Sequence, residues 1–456
     1  MNTKNNLVIR IIAFSIAIIL IFSVATNGFG AFRNDPDSES PNAMSKVSGA
    51  SGTIGSSSSA SQISKDTDYD AALKNVTKSI DLSPDSGELY LQRAKIYALT
   101  NKIDLAIADC TTAIEKDPKL SEIYALRANL YVSKENYESA YVDYEKALTY
   151  TPDNSEILTA LVGISQNLKK YEENIEYIKI LLKKNPNDSI LNAVAGDSSV
   201  ALGKYEQAVD YYDNAINFYD DKAKSQGILK ENVLAAKGNC LKSLTKYKEA
   251  IDSYSLCLGI KKTKEILFQR GYCYIQVADY NKAILDFNEV IEQNYEKNIA
   301  HFQRGLCYYS IGSYQKAIDD FKIYEAGFPL KADSYLYTAL SYQQLKNDDK
   351  AIVYFEKCIT AKVSVGDCNF SIGNIYYNQK KYPESIPYYT KAIELNAQKY
   401  SAMINRGLAY IKINKYNEAK VDLKTVIDQC KDKDLVALAQ KNYDPIKNIT
   451  ITTNHS

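Results

Sequence analysis

Apolar residues recur three to four places apart in runs of about a dozen, and the runs come in pairs. In residues 298–331, Phe302, Leu306, Tyr308 and Tyr309 mark one run, Gly312 and Ser313 interrupt it, and Tyr314, Ala317, Ile318, Phe321 and Tyr324 mark the next. Such spacing lines one side of a helix, so this stretch is predicted to be two antiparallel helices joined by a tight turn. Pro329 ends it, because proline cannot continue a helix and turns the residue before it away from helical torsion angles. The pair then repeats. A short side chain stands at Ala72, Ala106, Ala140, Asn174, Ala208, Ala250, Ala283, Ala317, Ala351, Ser385 and Ala419. The period is about 34 residues, one shorter before Ala283 and clearly longer before Ala250. A fixed long period means that each hairpin covers its apolar face against the next. Ten full repeats run from Gly87 to Lys433, and a half repeat, Tyr69 to Pro84, precedes them.

The repeat has fixed places for certain residue types. Its eighth position is Ala94, Ala128, Val162, Gly196, Gly238, Gly271, Gly305, Ala339, Gly373 and Gly407; its eleventh is tyrosine at Tyr97, Tyr131, Tyr274, Tyr308, Tyr342, Tyr376 and Tyr410. Its twenty-fourth is a ring at Tyr144, Tyr212, Tyr254, Phe287, Phe321, Phe355 and Tyr389. Small groups at the eighth and twentieth positions let two helices approach, and the ring fills the gap that follows. This pattern resembles the tetratricopeptide repeat, although the chain has no Trp and places Tyr90, Tyr124, His301 or Tyr335 where that family has one. The resemblance implies an all-α solenoid, a right-handed superhelix of helix hairpins. The late proline is replaced by Asp220, Lys262, Tyr295, Val363 and Ala397, where the joints are either looser or capped in another way.

Comparing the repeats with one another shows a pairing rule. Arg93, Arg127, Arg270, Arg304 and Arg406 occupy the seventh position of five repeats, and those five alone carry Asp sixteen residues later, at Asp109, Asp143, Asp286, Asp320 and Asp422. A turn centred on the fifteenth position sets the seventh opposite the twenty-third, so an ion pair between the two helices is expected in each. A structural role is favoured over a row of anion hooks, since a paired arginine makes a poor hook.

The resemblance also implies that first helices form the inner, concave wall of the solenoid, through their second, fifth, ninth, twelfth and thirteenth positions. In the later repeats these hold Phe268, Tyr272, Ile275, Phe302, Leu306, Tyr309, Leu336, Leu340, Phe370, Asn374, Tyr377, Ile404, Leu408 and Ile411, with Asn405 beside them at a sixth position. Earlier repeats put small or polar groups there, such as Asn129, Ser133, Gly163, Asp197, Asn239 and Lys242. An extended apolar surface usually marks an interaction site. The family's clamp for a terminal carboxylate is incomplete, with Asn374 and Asn405 but only Lys412 as a base. The expected partner is therefore an apolar or aromatic peptide segment or helix, not a free C-terminus.

Outside the repeats the pattern changes. Residues 7–25 form an apolar run preceded by Lys4 and carrying Arg10, and acidic residues Asp35, Asp37 and Glu39 follow. Residues 1–32 are expected to be a membrane anchor, or a signal peptide cut after Ser23-Val24-Ala25. The positive-inside rule places the repeats outside the cytoplasm, tethered to the cell membrane by one span, or secreted if the signal is removed. Residues 33–66 are Ser- and Gly-rich and read as a disordered linker. The remaining expected divisions are a first array at 67–222, an insertion at 223–230, a second array at 231–433, a capping helix at 434–446 and a tail at 447–456.

Composition limits the chemistry. Lys plus Arg and Asp plus Glu number 55 each, leaving no surplus charge to attract nucleic acid. With two histidines, His301 and His455, and no phosphate-binding Gly loop, no metal site, cofactor or small-molecule substrate is expected, and an enzyme is rejected. Among the eight cysteines, Cys240, Cys273 and Cys307 share the tenth position, and Cys257 and Cys358 the twenty-seventh. Equivalent sites in stacked repeats stand too far apart to bridge, so buried thiols are expected. The Lys-, Asn-, Ile- and Tyr-rich composition suggests a bacterial source. The expected function is a protein–protein interaction scaffold, with a structural spacer or a non-catalytic subunit of an envelope enzyme or secretion complex as alternatives.

Overall fold

The computed structural model describes residues 69–329 and 332–449. Among the described residues there are 23 helices and no strand. They fall into two compact blocks divided between Ile266 and Leu267. The expected anchor or signal (1–32) and linker (33–66) lie outside the described residues. Among the described residues no helix is long and apolar enough to cross a membrane.

The amino-terminal block begins with the half repeat, α1 (Tyr69–Leu82), whose Val76 and Ile80 are buried. Hairpins follow as α2 (Gly87–Leu99) with α3 (Ile103–Lys116), α4 (Ser121–Ser133) with α5 (Tyr137–Tyr150), α6 (Ser155–Asn167) with α7 (Tyr171–Lys184), and α8 (Ser189–Ala201) with α9 (Tyr205–Asn217). A short α10 (Asp221–Ser225) leads to the hairpin α11 (Lys230–Ser243) and α12 (Tyr247–Ile260). Next comes α13 (Lys264–Gln276), which begins at the block boundary and pairs with α14 (Tyr280–Glu292). The carboxy-terminal block continues with α15 (Lys297–Ser310) and α16 (Tyr314–Gly327), α17 (Asp333–Gln344) and α18 (Asp348–Thr360), α19 (Val365–Asn378) and α20 (Tyr382–Glu394), and α21 (Lys399–Lys412) and α22 (Tyr416–Gln429). The last helix is α23 (Lys433–Tyr443).

Every hairpin turns on its fifteenth residue. Asn101, Glu135, Lys169, Gly203, Thr245, Ala278, Gly312, Lys346, Lys380 and Asn414 all have positive φ, and only two of them are glycine. The next residue's N–H donates to a carbonyl five back, Lys102 to Tyr97 at 2.8 Å and Lys415 to Tyr410 at 2.9 Å among them, the Schellman closure of a helix end. Inside the hairpin the eighth-position residue lies under the twenty-fourth-position ring. A Cβ on Gly305 would lie 2.7 Å from the Phe321 ring, so this contact requires glycine. Phe287, Phe321, Phe355, Tyr254 and Tyr389 are fully covered, and each such burial is worth about 1.5–3 kcal/mol.

Two kinds of joint between repeats recur, while at Lys262 the chain is extended without a proline, with φ −142° at Lys261. Before Pro118, Pro152 and Pro186 the chain is extended, with φ of −141° at Asp117, −134° at Thr151 and −136° at Asn185, as a following proline demands. Where Tyr295, Val363 and Ala397 replace proline, left-handed residues flank them: Asn294 and Glu296, Lys362 and Ser364, Asn396 and Gln398. The N–H groups of Tyr295, Val363 and Ala397 donate to Val290, Cys358 and Ala392 at 2.9–3.1 Å. These joints are not loose; a second Schellman closure replaces the proline stop.

The inserted residues are packed. Asp220 caps α10 by accepting from the Ala223 N–H at 2.8 Å, Gly227 turns the chain at φ 86°, and the Tyr219 hydroxyl donates to the Ile228 carbonyl at 2.8 Å. Ala223 and Ile228 are completely buried with Val233 in the block's core. At the far end, Asp432 caps α23, and Ala439 and Ile446 bury against Leu423 and Val426.

Candidate interaction face and the joints that hold it

The structure brings all five Arg–Asp pairs together as two-pronged contacts. Nε and Nη2 of each arginine donate to the two carboxylate oxygens at 2.6–2.9 Å, from Arg93 to Asp109, Arg127 to Asp143, Arg270 to Asp286, Arg304 to Asp320 and Arg406 to Asp422. All five aspartates are buried. At Asp320, burial pushes the carboxyl up, but hydrogen bonds with Arg304 and His301 outweigh it and hold it below the ordinary value. His301 Nδ1 lies 2.7 Å from Asp320 Oδ1, so this histidine belongs to the same structural network.

The third guanidinium nitrogen reaches backward to the preceding repeat. Nη1 of Arg127 donates to Thr111 at 3.0 Å, that of Arg304 to Asn288 at 2.7 Å, and that of Arg406 to Thr390 at 2.8 Å. Each of these arginines therefore ties its own hairpin together and binds it to its neighbour. The acceptor is the twenty-fifth position of the earlier repeat, and a signal for it was in the sequence. Thr77, Thr111, Ser255, Asn288 and Thr390 precede the five Arg/Asp repeats, whereas charged Glu145, Lys179, Asp213, Lys322 and Glu356 precede the other five. Where the pair is missing, other groups cross the joint. Tyr177 donates to Glu145 at 2.9 Å and Lys237 pairs with Asp213. Tyr354, Ser334 and Thr338 all donate to Glu325.

The candidate face on the first helices divides by depth. For Phe268, Phe302, Leu336 and Ile404 the expectation of an exposed wall is corrected, because all four are buried. The fifth position faces the twenty-fourth across the hairpin: the Phe268 ring lies 5.6 Å from Phe287, and Phe302 lies 5.8 Å from Phe321 and 4.7 Å from Tyr324. Phe370 leans the same way, 6.1 Å from Tyr389, but stays half-buried. Tyr272, Ile275, Leu306, Tyr309, Leu340, Tyr377 and Leu408 are half-buried. Tyr309 packs 5.7 Å from both Tyr314 and Tyr337, and burial pushes its hydroxyl up to about 12. Tyr377 stacks edge-on against Tyr382 at 5.2 Å. Asn374 Oδ1 accepts from the Tyr389 hydroxyl at 2.9 Å and from Asn405 Nδ2 at 2.8 Å, so the two asparagines bind each other across adjacent repeats.

That asparagine is one case of a second rule. Where the twenty-fourth residue is tyrosine its hydroxyl needs a partner, and the ninth residue supplies it. Tyr144 donates to Asn129 at 2.5 Å, Tyr212 to Asp197 at 2.6 Å, Tyr254 to Asn239 at 2.7 Å and Tyr389 to Asn374. Where the ring is Phe287, Phe321 or Phe355 there is no hydroxyl to satisfy, and the ninth residue is Tyr272, Leu306 or Leu340. A choice made inside the hairpin thus sets the polarity of its face. Among the described residues no group of three or more His, Cys, Asp or Glu side chains is placed to hold a metal ion.

Tetratricopeptide-repeat models match residues 89–222, 232–264, 268–330, 333–361, 367–398 and 400–432. The chain is a tetratricopeptide-repeat protein. It is 25% identical to Hsp70-Hsp90 organizing protein 1 of Arabidopsis thaliana over 182 residues, 39% of this chain and 32% of that protein. It therefore spans about a third of the curated relative it matches. Among solved structures it is similar to a chain of Naa15/Naa10 bound to HypK-THB, at 15% identity and a TM-score of 0.44, covering 83% of this chain and 63% of that one. It also resembles yeast Tom70, at 14% identity and a TM-score of 0.33, covering 83% and 92%. Tetratricopeptide-repeat proteins generally act as interaction scaffolds, and they are typically non-catalytic.

Proposed function

We propose that this tetratricopeptide-repeat protein is a non-enzymatic scaffold that captures apolar or aromatic segments of other proteins on the first helices of residues 267–449. The observation that carries the reading is the change at the ninth position, from Asn129, Asp197 and Asn239 to Tyr272, Leu306, Leu340 and Leu408, with Asn374 the one polar exception among the later repeats. Half-buried apolar side chains on the outside of a packed hairpin lose little entropy on binding and gain from further burial. The mutual hydrogen bond of Asn374 and Asn405 engages groups that a carboxylate clamp would need, which favours an internal segment over a free C-terminus. The apolar run at residues 7–25 supports a membrane tether or signal, with the repeats outside the cytoplasm.

The test is fluorescence anisotropy with labelled twelve-residue peptides, aromatic and polar, against the full chain and its Leu306→Glu and Leu340→Glu variants. Aromatic peptides are expected to bind at least tenfold more tightly than polar ones, with that preference lost in variants whose melting is unchanged. Equal affinity for both peptide classes overturns the reading. For the tether, carbonate-washed membranes are expected to retain the protein, and a mature N-terminus at Thr26 would instead show a cleaved signal.

A further inference from the structure

At the joint between the second and third repeats the seventh position is Leu161 in place of arginine, so no guanidinium crosses to α5. The place that would accept it, the twenty-fifth position of the second repeat, is Glu145. Two tyrosine hydroxyls hold this side chain. Tyr141 donates to it at 3.0 Å and Tyr177, from the third repeat, at 2.9 Å, both to Oε1. The two hydroxyls lie 2.8 Å from each other. Oε2 has no partner among the described residues. The equivalent carboxylate of the fourth repeat, Asp213, receives the Lys237 ammonium from the seventh position of the fifth. Glu145 occupies the same place without a cation from the described part of its own chain.

Glu145 and Tyr177 line an open groove of about 800 Å³ formed by α4, α5 and α7. Its walls are otherwise mainly apolar, with Tyr124, Val142, Leu148, Pro152 and Ile180. Val142 is 64% exposed. A second cavity of about 310 Å³ adjoins it, shares Arg127, Val142 and Asp143 with it, and adds Glu138. The cations on these walls are already engaged. Arg127 is held by Asp143 and Thr111, and Lys146 Nζ lies 5.3 Å from the centre of the Tyr150 ring. What stays open is carboxylate, at Glu145 Oε2 and at Glu138, which has no ion pair among the described residues. None of these residues stands at the second, fifth, ninth, twelfth or thirteenth position, so the groove lies apart from the first-helix face.

We propose that this groove docks a segment of another protein that carries a lysine or arginine beside aliphatic side chains. The cation meets Glu145 Oε2, and because two hydroxyls already fix the carboxylate, little is left to order on binding. The aliphatic neighbours cover Val142, Leu148 and Ile180. A second basic residue in the segment reaches Glu138. The groove is too open to enclose a free amine, since small-molecule sites bury most of their ligand's surface, whereas a chain lying along it needs no enclosure. Docking here involves residues 121–188 and does not depend on what the first helices of residues 267–449 capture.

The test is fluorescence anisotropy of the full chain with three labelled twelve-residue peptides that share leucine and alanine and carry lysine, norleucine or glutamate at two places. The lysine peptide is expected to bind about tenfold more tightly than the norleucine peptide, with the glutamate peptide weakest and the lysine preference fading as salt rises. Glu145→Gln keeps an oxygen for the two hydroxyls and removes the charge, so it should erase the difference between lysine and norleucine. Val142→Arg should block the lysine peptide. Glu145 and Val142 are both exposed, so these variants are expected to melt like the wild type, and the comparison of peptides on the wild type stands without them. Equal affinity for the lysine and norleucine peptides, or unchanged lysine binding in Glu145→Gln, overturns the proposal. Leu306→Glu should leave the lysine preference in place; its loss there would move the peptide to the first-helix face and overturn the assignment of this groove. Displacement of the peptide by an equal concentration of butylamine would assign the groove to a small amine and overturn it likewise.

Discussion

Asp197→Asn should stabilise the protein at neutral pH and do almost nothing in acid. Asp197 stands at the ninth position of the fourth repeat, on α8, and accepts a hydrogen bond from the buried Tyr212 hydroxyl at 2.6 Å. Desolvation pushes its carboxyl up to about 6, with the Tyr212 bond pulling the other way. The sign follows from proton counts. Between roughly pH 4, the ordinary carboxylate value, and pH 6 the native state holds a proton that the unfolded chain has released, so stability falls as pH rises through that window. Above it the penalty is complete. The rise from the ordinary value corresponds to at most about 3 kcal/mol, and about 1–2 kcal/mol is a sounder expectation because the side chain is partly open to water.

Asparagine removes the charge and keeps a carbonyl for Tyr212, and the protein already uses that arrangement at Asn129, Asn239 and Asn374. Urea unfolding of the wild type and the variant at pH 7.5 and pH 4 measures the effect. Because a repeat array need not unfold in one step, the probe should be amide exchange at α8 and α9 as well as the overall signal. The variant is expected to gain about 1–2 kcal/mol at the higher pH, with most of the gain gone at the lower. Equal stability at pH 7.5, or the same gain at both pH values, would refute the electrostatic account.

Thr245→Gly should add about 1 kcal/mol, since a β-branched residue at φ 58° is strained where Gly203 and Gly312 serve elsewhere. A thermal melt at or below that of wild type would count against it. Ala317→Asp should cost several kcal/mol by forcing a charge into a fully closed helix contact, and a near-wild-type melt contradicts that packing. Arg127→Leu should cost about 3 kcal/mol because it leaves buried Asp143 without its ionic partner. Adding Asp143→Tyr, which copies Leu161 and Tyr177 of the next repeat, should recover part of that loss in urea unfolding.

The repeats were legible because their signals recur along the chain: a break between two apolar runs in all ten, a ring at the twenty-fourth position in seven, an Arg matched to an Asp in five. The face was less legible because helical periodicity gives direction around an axis but not depth. Phe302 and Leu306 lie four apart on one side of α15, yet the first is buried against Tyr324 and the second stays half-buried. Depth is set by the opposing helix, which a single helix's pattern does not contain. The same limit explains the joints. Tyr295, Val363 and Ala397 look like missing prolines, but what closes those joints is left-handed torsion at Asn294, Lys362 and Asn396, which other residues besides glycine can adopt. Comparison of repeats reaches part of this hidden information, because a buried group that needs a partner must bring it along wherever it recurs. Tyr212 brings Asp197, Tyr254 brings Asn239, and phenylalanine brings neither, so the polarity of the first-helix face follows from hydroxyl groups inside the hairpins. Replacing Phe321 with Tyr should therefore leave a buried hydroxyl beside Leu306 and destabilise the protein by about 1–3 kcal/mol, and Leu306→Asn should restore much of it. A double variant no more stable than Phe321→Tyr alone would separate the two positions and remove the link between core and face.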